Sequence, residues 1–280
     1  MGNARRNPAK YDLRRLRQFR SDGILNDMIR QYGTPPFRVA VVHGGPGGIG
    51  SAGGLAEGLS ASCGVLEPLQ SKYSIPELIA ELHEQLAVSP VPLTLIGHSW
   101  GAWLAALYAV EFPQLVTRLV LVCCPPFEAR YVPQIGARRA ARLNAKERKC
   151  FRTIIAELDK NGDSDRLGEL GELCGKADNH APLPDLEEPP SQFNGDMYAK
   201  VWNEADAMRK SGELLRRAEK LTTPITVIHG DCDPHPPEGV TEPLQKANIP
   251  FTFHLLPQCG HSPWCETYAR DAFFALLQLP

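Results

Sequence analysis

The spacing of apolar residues predicts short buried strands separated by helices. Apolar-rich runs of five or six residues occur at Phe37–Val42, Val91–Ile96, Leu119–Cys123, Ile225–His229 and Phe251–Leu256. Near-continuous runs of this kind are typical of parallel strands that are covered on both faces. The alternation of such strands with helical segments predicts an open, mostly parallel α/β sheet.

Helical spacing is evident in the segments between these strands. One helix opens at the capping-box pattern Ser74-Ile75-Pro76-Glu77, and its apolar face comprises Ile75, Leu78, Ile79, Leu82 and Leu86. Further helices are predicted over 102–110 and over about 267–277. Ahead of the first strand, Tyr11–Tyr32 has the spacing of two amphipathic helices. We therefore expect helices, rather than strands, before Phe37.

The pattern changes from Pro125 to about Lys220, where charged residues are frequent, helical patches occur and no strand is evident. We expect this block to be a helical cap inserted into the sheet domain. The expected organisation is an N-terminal helical extension over 1–36, an α/β core made of 37–124 and 221–280, and a cap insertion over 125–220.

Composition excludes several classes of function. The net charge of −2 gives no indication of nucleic-acid binding. No apolar run approaches the roughly 20 residues that a membrane-spanning helix needs, and the polar start of the chain does not resemble a secretion signal. The eight cysteines form no C-x-x-C pair, so we expect reduced thiols and a cytoplasmic location.

The run Gly97-His98-Ser99-Trp100-Gly101 has the pattern G-x-S-x-G and lies between a predicted strand and a predicted helix. In that context the serine is forced onto a strained turn that exposes its hydroxyl. The flanking glycines are needed because side chains there would collide with the turn. Ser99 is therefore the candidate nucleophile.

A serine nucleophile needs a base, and the base needs an orienting acid. His261 follows the strand Phe251–Leu256, and two acids, Asp231 and Asp233, follow the strand Ile225–His229. Either acid satisfies the chain order serine, acid, histidine. His229 and His235 flank these acids, but the many prolines and the absence of a helically spaced ligand pair argue against a metal site.

Acyl transfer also needs backbone N–H groups that stabilise the oxyanion. One donor is expected to be the N–H of Trp100, which follows the nucleophile. The other is expected from the glycine loop after the first strand, His43-Gly44-Gly45-Pro46-Gly47-Gly48. Gly45 is the candidate because Pro46 has no N–H.

The motifs H-G-G-P-G-G, G-H-S-W-G-A, G-D-C-D-P-H-P and G-H-S-P-W-C-E occur in this order along the chain. Together they resemble the α/β-hydrolase superfamily, and the first two resemble its proline iminopeptidase-like branch. The resemblance implies an α/β-hydrolase fold without a cofactor. It also implies that Ser99 is the nucleophile, His261 the base and Asp233 the acid.

The chain departs from that family's pattern in two places, before the glycine loop and in the cap. Family members have a β-hairpin before the glycine loop, whereas this chain predicts helices there, so the hairpin is expected to be absent or replaced. Iminopeptidases hold the substrate's amine with cap glutamates, and Glu204 or Glu213 could do so here. Trp264 and Trp100 are candidates for lining the acyl pocket.

The sequence thus predicts a serine hydrolase that cleaves an ester or amide of a small molecule or short peptide through an acyl-enzyme. The alternatives are an aminopeptidase of the iminopeptidase type, a carbon–carbon bond hydrolase and an inactive binding protein. No nucleic acid, membrane or metal is expected as a partner.

Overall fold

The computed structural model describes residues 28–89, 91–161 and 166–277. The strands in these ranges are β1 (Ile29–Tyr32), β2 (Phe37–Val42), β3 (Gly48–Ile49), β4 (Gly64–Pro68), β5 (Leu93–His98), β6 (Val116–Val122), β7 (Gln192–Phe193), β8 (Ile225–Gly230) and β9 (Phe251–Leu256). The helices are α1 (Gly53–Leu59), α2 (Ile75–Leu86), α3 (Trp100–Glu111), α4 (Val132–Arg142), α5 (Ala145–Asn161), α6 (Leu167–Asp178), α7 (Gly195–Lys210), α8 (Glu213–Ala218), α9 (Glu238–Lys246) and α10 (Arg270–Leu276).

Seven strands form one sheet in the order β1-β4-β2-β5-β6-β8-β9, and β1 alone among them runs antiparallel to its neighbour. All six residues of β5 and all six of β8 are buried. A strand covered on both faces must be apolar on both, which explains the near-continuous apolar runs in the sequence. The predicted mostly parallel α/β sheet is confirmed.

The two faces of the sheet belong to separate apolar clusters because successive side chains on a strand point in opposite directions. Ala40, Leu95 and Leu121 pack in the cluster that includes the apolar faces of α2 and α3. Val41 and Ile96, from the same strands, pack in the cluster that includes residues of α1 and α10. Helices therefore cover both faces, and the loops at the carboxyl edge of the strands remain for a site.

The start of the described chain differs from the expectation of helix. Residues 29–32 form β1, which pairs antiparallel with β4, with Ile29 opposite Pro68 and Tyr32 opposite Val65. Tyr32 donates a hydrogen bond of 2.8 Å to the buried carboxylate of Glu67 on β4. The strand forms because β4 offers it an unpaired edge, which local apolar spacing does not reveal. The rest of the predicted helical segment, residues 11–27, lies outside the described residues.

Helices α4 to α8 lie between β6 and β8 in the chain, where the sequence predicted a helical insertion. That insertion also contains β7, a strand of two residues that the sequence analysis did not predict. It pairs antiparallel with β3 in the glycine loop, with Phe193 opposite Gly48. Next to this pair, the N–H of Asn194 donates to the carbonyl of Gly47 at 2.8 Å. The inserted segment is therefore hydrogen-bonded to the loop that carries Gly45.

Among the described residues, none of the helices combines the length and the apolar character required to span a membrane.

Candidate active site

Ser99 lies on the tight turn between β5 and α3. Its φ of +51° and ψ of −125° are unusual for a residue with a side chain. The turn is held at both ends, because the Ser99 N–H donates to the Val122 carbonyl at 2.9 Å and the Ala102 N–H donates to the Ser99 carbonyl at 2.9 Å. Such strain persists only where surrounding structure imposes it, and it is common at active sites.

The glycines of the G-x-S-x-G pattern are required by close backbone contacts. A Cβ on Gly101 would lie 2.3 Å from the carbonyl oxygen of Val42, and a Cβ on Gly97 would lie 2.3 Å from the carbonyl oxygen of Gly101. Both distances are far below van der Waals contact. The turn that presents Ser99 therefore depends on both glycines, as the sequence pattern predicted.

The structure brings Asp233, from the loop after β8, to the ring of His261, from the loop after β9. The Nδ1–H of His261 donates to Asp233 Oδ2 at 2.8 Å, and both side chains are buried. Burial opposes both charges. Even so, the attraction of nearby histidines, His261 first, holds the pKa of Asp233 well below its usual range, and Asp233 raises the pKa of His261.

Asp231, the other candidate acid, lies elsewhere. It is exposed, and its Oδ1 accepts a hydrogen bond of 3.2 Å from the backbone N–H of Cys259. It makes no hydrogen bond to His261. Geometry therefore favours Asp233 as the acid.

His98, the residue before Ser99, links the Ser99 turn to the loop of His261. Its Nε2–H donates to the backbone carbonyl of His261 at 2.9 Å, and the two ring centroids lie 4.9 Å apart. Among the described residues no hydrogen bond joins the Ser99 hydroxyl to the His261 ring. Such catalytic hydrogen bonds are often long in enzymes without substrate and tighten when substrate binds.

The two expected oxyanion donors belong to the start of α3 and to the glycine loop. Trp100 is the first residue of α3, so its N–H has no acceptor within the helix. Gly45 has a φ of +54° in the glycine loop, and its neighbour Gly44 is packed so closely that a Cβ there would lie 3.1 Å from Ser99 Cβ. The helix N-terminus adds a partial positive charge where an oxyanion would form.

Buried polar groups hold the glycine loop in place. His43 Nδ1–H donates to the Gly44 carbonyl at 3.1 Å, and His43 Nε2 accepts from the Gln70 N–H at 3.3 Å. The Trp100 indole N–H donates to Gln70 Oε1 at 3.2 Å. Burial lowers the pKa of His43 to about 4, so its ring is neutral at pH 7. These bonds tie the two halves of the expected oxyanion hole together.

The inserted helices contact the loop that carries His261. Asp178, at the end of α6, accepts a hydrogen bond of 2.9 Å at its backbone carbonyl from the His261 N–H. Its carboxylate accepts two bonds from Arg139 of α4, at 2.7 and 2.6 Å. This ion pair therefore connects two cap helices to the backbone of His261.

Glu266 makes a second such connection. It is fully buried, and its carboxylate accepts backbone hydrogen bonds from Gly260 at 2.9 Å, His180 at 2.7 Å and Ala181 at 2.6 Å. The sequence analysis identified neither Glu266 nor Asp178. No local signal marks an acid whose partners are backbone groups of a distant segment.

Two residues proposed from sequence for substrate binding have other contacts. The Glu204 carboxylate accepts the N–H of Ile75 at 2.8 Å and so caps α2. Trp264 is 2% exposed, donates its indole N–H to Glu188 at 2.8 Å and packs edge-on against His98 at 4.7 Å between centroids. Both side chains therefore have partners within the protein, and their roles in substrate binding stay predictions.

Among the described residues, one group of potential metal ligands includes both members of the Asp233–His261 pair. Ligand atoms of Cys123, Asp233 and His261 lie within 4.8 Å of one another, and all three residues are buried. The Asp233–His261 hydrogen bond already accounts for the proximity of the carboxylate and the imidazole. Burial, the largest influence, raises the pKa of the Cys123 thiol well above its usual range, so it is protonated and a poor ligand.

The fold and the serine turn define a member of the α/β hydrolases. The sequence profile of the Alpha/beta hydrolase family matches residues 41–275, and the chain belongs to that family. Among individual relatives, a proline iminopeptidase from Heyndrickxia coagulans is 26% identical over 260 residues, covering 84% of this chain and 86% of that protein.

Solved structures show the same fold at low identity. VinJ superposes with a TM-score of 0.63 at 17% identity, covering 89% of this chain and 92% of that one. A proline iminopeptidase from Mycobacterium smegmatis superposes with a TM-score of 0.57 at 17% identity, with the same coverage of 89% and 92%. Both likenesses concern the fold alone.

Proposed function

We propose that this protein is a serine hydrolase that cleaves an ester or amide of a small molecule or short peptide through an acyl-enzyme. The observation that carries the proposal is the buried Asp233–His261 pair, which lies beside the strained turn of Ser99. Family membership agrees with hydrolytic chemistry, and the geometry supports a particular division of roles.

In the proposed reaction, His261 Nε2 accepts the Ser99 proton as the hydroxyl oxygen attacks the substrate carbonyl. Asp233 keeps the Nδ1–H of His261 oriented and stabilises the imidazolium. The N–H groups of Trp100 and Gly45 stabilise the oxyanion, and one such donor can lower the activation barrier by about 3 kcal/mol. His261 then protonates the leaving group and activates the water that releases the acid.

The cap favours substrates without a free amine. An aminopeptidase needs a carboxylate for the substrate's ammonium group, but Glu204 caps α2. Glu213 is paired with Arg216 and Arg217, each at 3.0 Å. We therefore rank esters and neutral amides above N-terminal proline peptides, despite the likeness to a proline iminopeptidase.

Labelling with a fluorophosphonate probe tests this proposal. We expect the probe to attach to Ser99 in folded protein, as mapped by mass spectrometry, and we expect no labelling in Ser99→Ala. Unlabelled wild-type protein that is folded by circular dichroism would refute the nucleophile assignment. A panel of p-nitrophenyl esters of rising chain length, assayed beside proline and alanine anilides, then tests the ranking of substrates.

A further inference from the structure

The carboxylate of Asp233 accepts hydrogen bonds from the rings of two histidines. Its Oδ2 accepts from His261 Nδ1 at 2.8 Å. Its Oδ1 accepts two hydrogen bonds from His235, one from the ring Nδ1–H at 2.9 Å and one from the backbone N–H at 2.8 Å. A triad requires only the first of these partners. The second histidine is a feature of this chain that the proposed mechanism does not use.

The two imidazole rings lie face to face. Their centroids are 4.5 Å apart and their planes differ by 25°. Because both Nδ1 atoms bind one carboxylate and the centroids are so close, both rings extend to the same side of Asp233. The side chain of His235 is 8% exposed and that of His261 is 10% exposed. The ring of His235 is therefore stacked against one face of the His261 ring.

The electrostatic surroundings keep His235 neutral. Burial, the largest influence, lowers its pKa to about 4 against the opposing attraction of Asp233, and the nearby charges of His261 and Arg139 lower it further. The backbone carbonyls of His235 and Asp233 accept bonds from His229 Nε2 at 2.8 Å and Arg138 Nη1 at 3.4 Å. A neutral ring can stack on His261 in both of its protonation states without adding a like charge.

We propose that His235 is a positioning residue for His261: it occupies Asp233 Oδ1 and stacks on the imidazole, so that the carboxylate and the base keep one mutual orientation. The inference rests on the proposed function, in which His261 is the base. Without the His235 ring donor, Asp233 Oδ1 keeps only the backbone N–H of His235, so the carboxylate is held less firmly. Its negative charge is then less dispersed, which favours protonated His261.

Two substitutions separate the contributions of the donor and of the ring. His235→Phe keeps a ring on His261 and the backbone N–H donor to Oδ1, but it removes the ring donor. We expect kcat to fall about 10-fold, KM to change less than about twofold, and the acid limb of the pH profile of kcat/KM to move to higher pH by about half a unit. His235→Asn keeps an N–H donor near the Nδ1 position but removes the stacked ring. We expect a fall in kcat of several-fold with the acid limb unmoved.

His254 supplies a matched control, because it is a half-buried histidine on β9 without a hydrogen bond to the site. His254→Phe and His254→Asn should leave kcat and the pH profile unchanged. Unchanged kcat in both His235 variants, or an unmoved acid limb in His235→Phe, would overturn the proposal. If His235→Phe does not fold, His235→Asn still decides, because wild-type kcat in that variant excludes a role for the ring.

Titration of His261 by NMR in histidine-labelled protein gives a readout that needs no turnover. The pKa of His261 should be higher in His235→Phe than in the wild type and unchanged in His235→Asn. Failure of the proposed function would appear as an unlabelled Ser99 in wild-type protein. Failure of this inference would appear as an identical His261 titration in all three proteins, so the two failures are distinguishable.

Discussion

The buried carboxylate of Asp233 holds several groups around it through hydrogen bonds. It accepts hydrogen bonds from the rings of His261 and His235 and from a backbone N–H, and His229 Nε2 lies 3.3 Å from its Oδ2. Burying a charge is costly unless it is paired and hydrogen-bonded, and here the partners meet that condition. The same partners keep the carboxylate ionised well below neutral pH.

Replacing this carboxylate should abolish the orientation of the base. In Asp233→Asn we expect kcat to fall by about 10³- to 10⁴-fold, because an amide can hold the imidazole in the wrong tautomer and cannot stabilise its positive charge. Steady-state hydrolysis of the best p-nitrophenyl ester measures the effect. The matched control is Asp231→Asn, which should lose less than about twofold. A large loss in the control with little loss in Asp233→Asn would reverse the assignment.

The loop between β9 and α10, which carries His261, is hydrogen-bonded to the cap. Glu266 bridges Gly260, which precedes His261, to the backbone of His180 and Ala181. A Cβ on Gly260 would lie 2.4 Å both from the Asp178 carbonyl oxygen and from Glu266 Oε1, so no side chain fits at this position without displacing its neighbours. The loop that carries His261 is therefore held both by Glu266 and by the Asp178 carbonyl.

Glu266→Gln should weaken the hydrogen bonds that hold the loop between β9 and α10. The amide leaves one acceptor and adds donors that face backbone N–H groups, so we expect the free energy of unfolding to fall by about 3 kcal/mol. We also expect kcat to fall several-fold, because the backbone next to His261 gains freedom. Urea unfolding and ester hydrolysis measure the two effects. Glu172→Gln on the exposed surface of α6 is the control and should change stability by less than about 0.5 kcal/mol. Equal stabilities of the two variants would contradict this role of Glu266.

At the scale of the whole molecule, several buried histidines make the free energy of unfolding depend on pH. Burial is the main cause that lowers the pKa of His43 to about 4, of His98 to about 3 and of His235 to about 4. In the unfolded chain these rings titrate near their ordinary value of about 6.5. Between pH 6.5 and pH 4 the unfolded state therefore binds more protons than the folded state.

The sign of the resulting pH dependence follows from that difference in proton binding. As pH falls from 7.5 to 5.5, we expect the free energy of unfolding to drop by about 3 kcal/mol. His261 opposes the trend, because its pKa is raised and its contribution is lost as pH rises. Urea unfolding at the two pH values measures the drop, and it should be smaller in His43→Asn. Constant or rising stability at the lower pH would contradict the neutral state of these rings.

Much of the fold follows from local pattern, because strands covered on both faces must be apolar at every position. The bounds of β2 and β9 are those predicted, and the helix predicted over 102–110 is α3, which is slightly longer at each end. Ser74 precedes α2 as expected, but its hydroxyl donates to the Glu77 carboxylate at 2.7 Å and accepts no backbone N–H of the helix. Glu204 caps the helix instead, which local spacing cannot show.

The sequence by itself determined five of the seven strands of the sheet, the serine turn and the candidate residues Ser99, His261 and Asp231 or Asp233, because apolar runs and glycine spacing are local features. Tertiary structure decided what depends on contact between distant segments. It paired β1 with β4, hydrogen-bonded the cap to the glycine loop, placed Asp233 rather than Asp231 at the base and stacked His235 upon it. These choices depend on burial and on the partners of buried polar groups, which only the folded chain brings together.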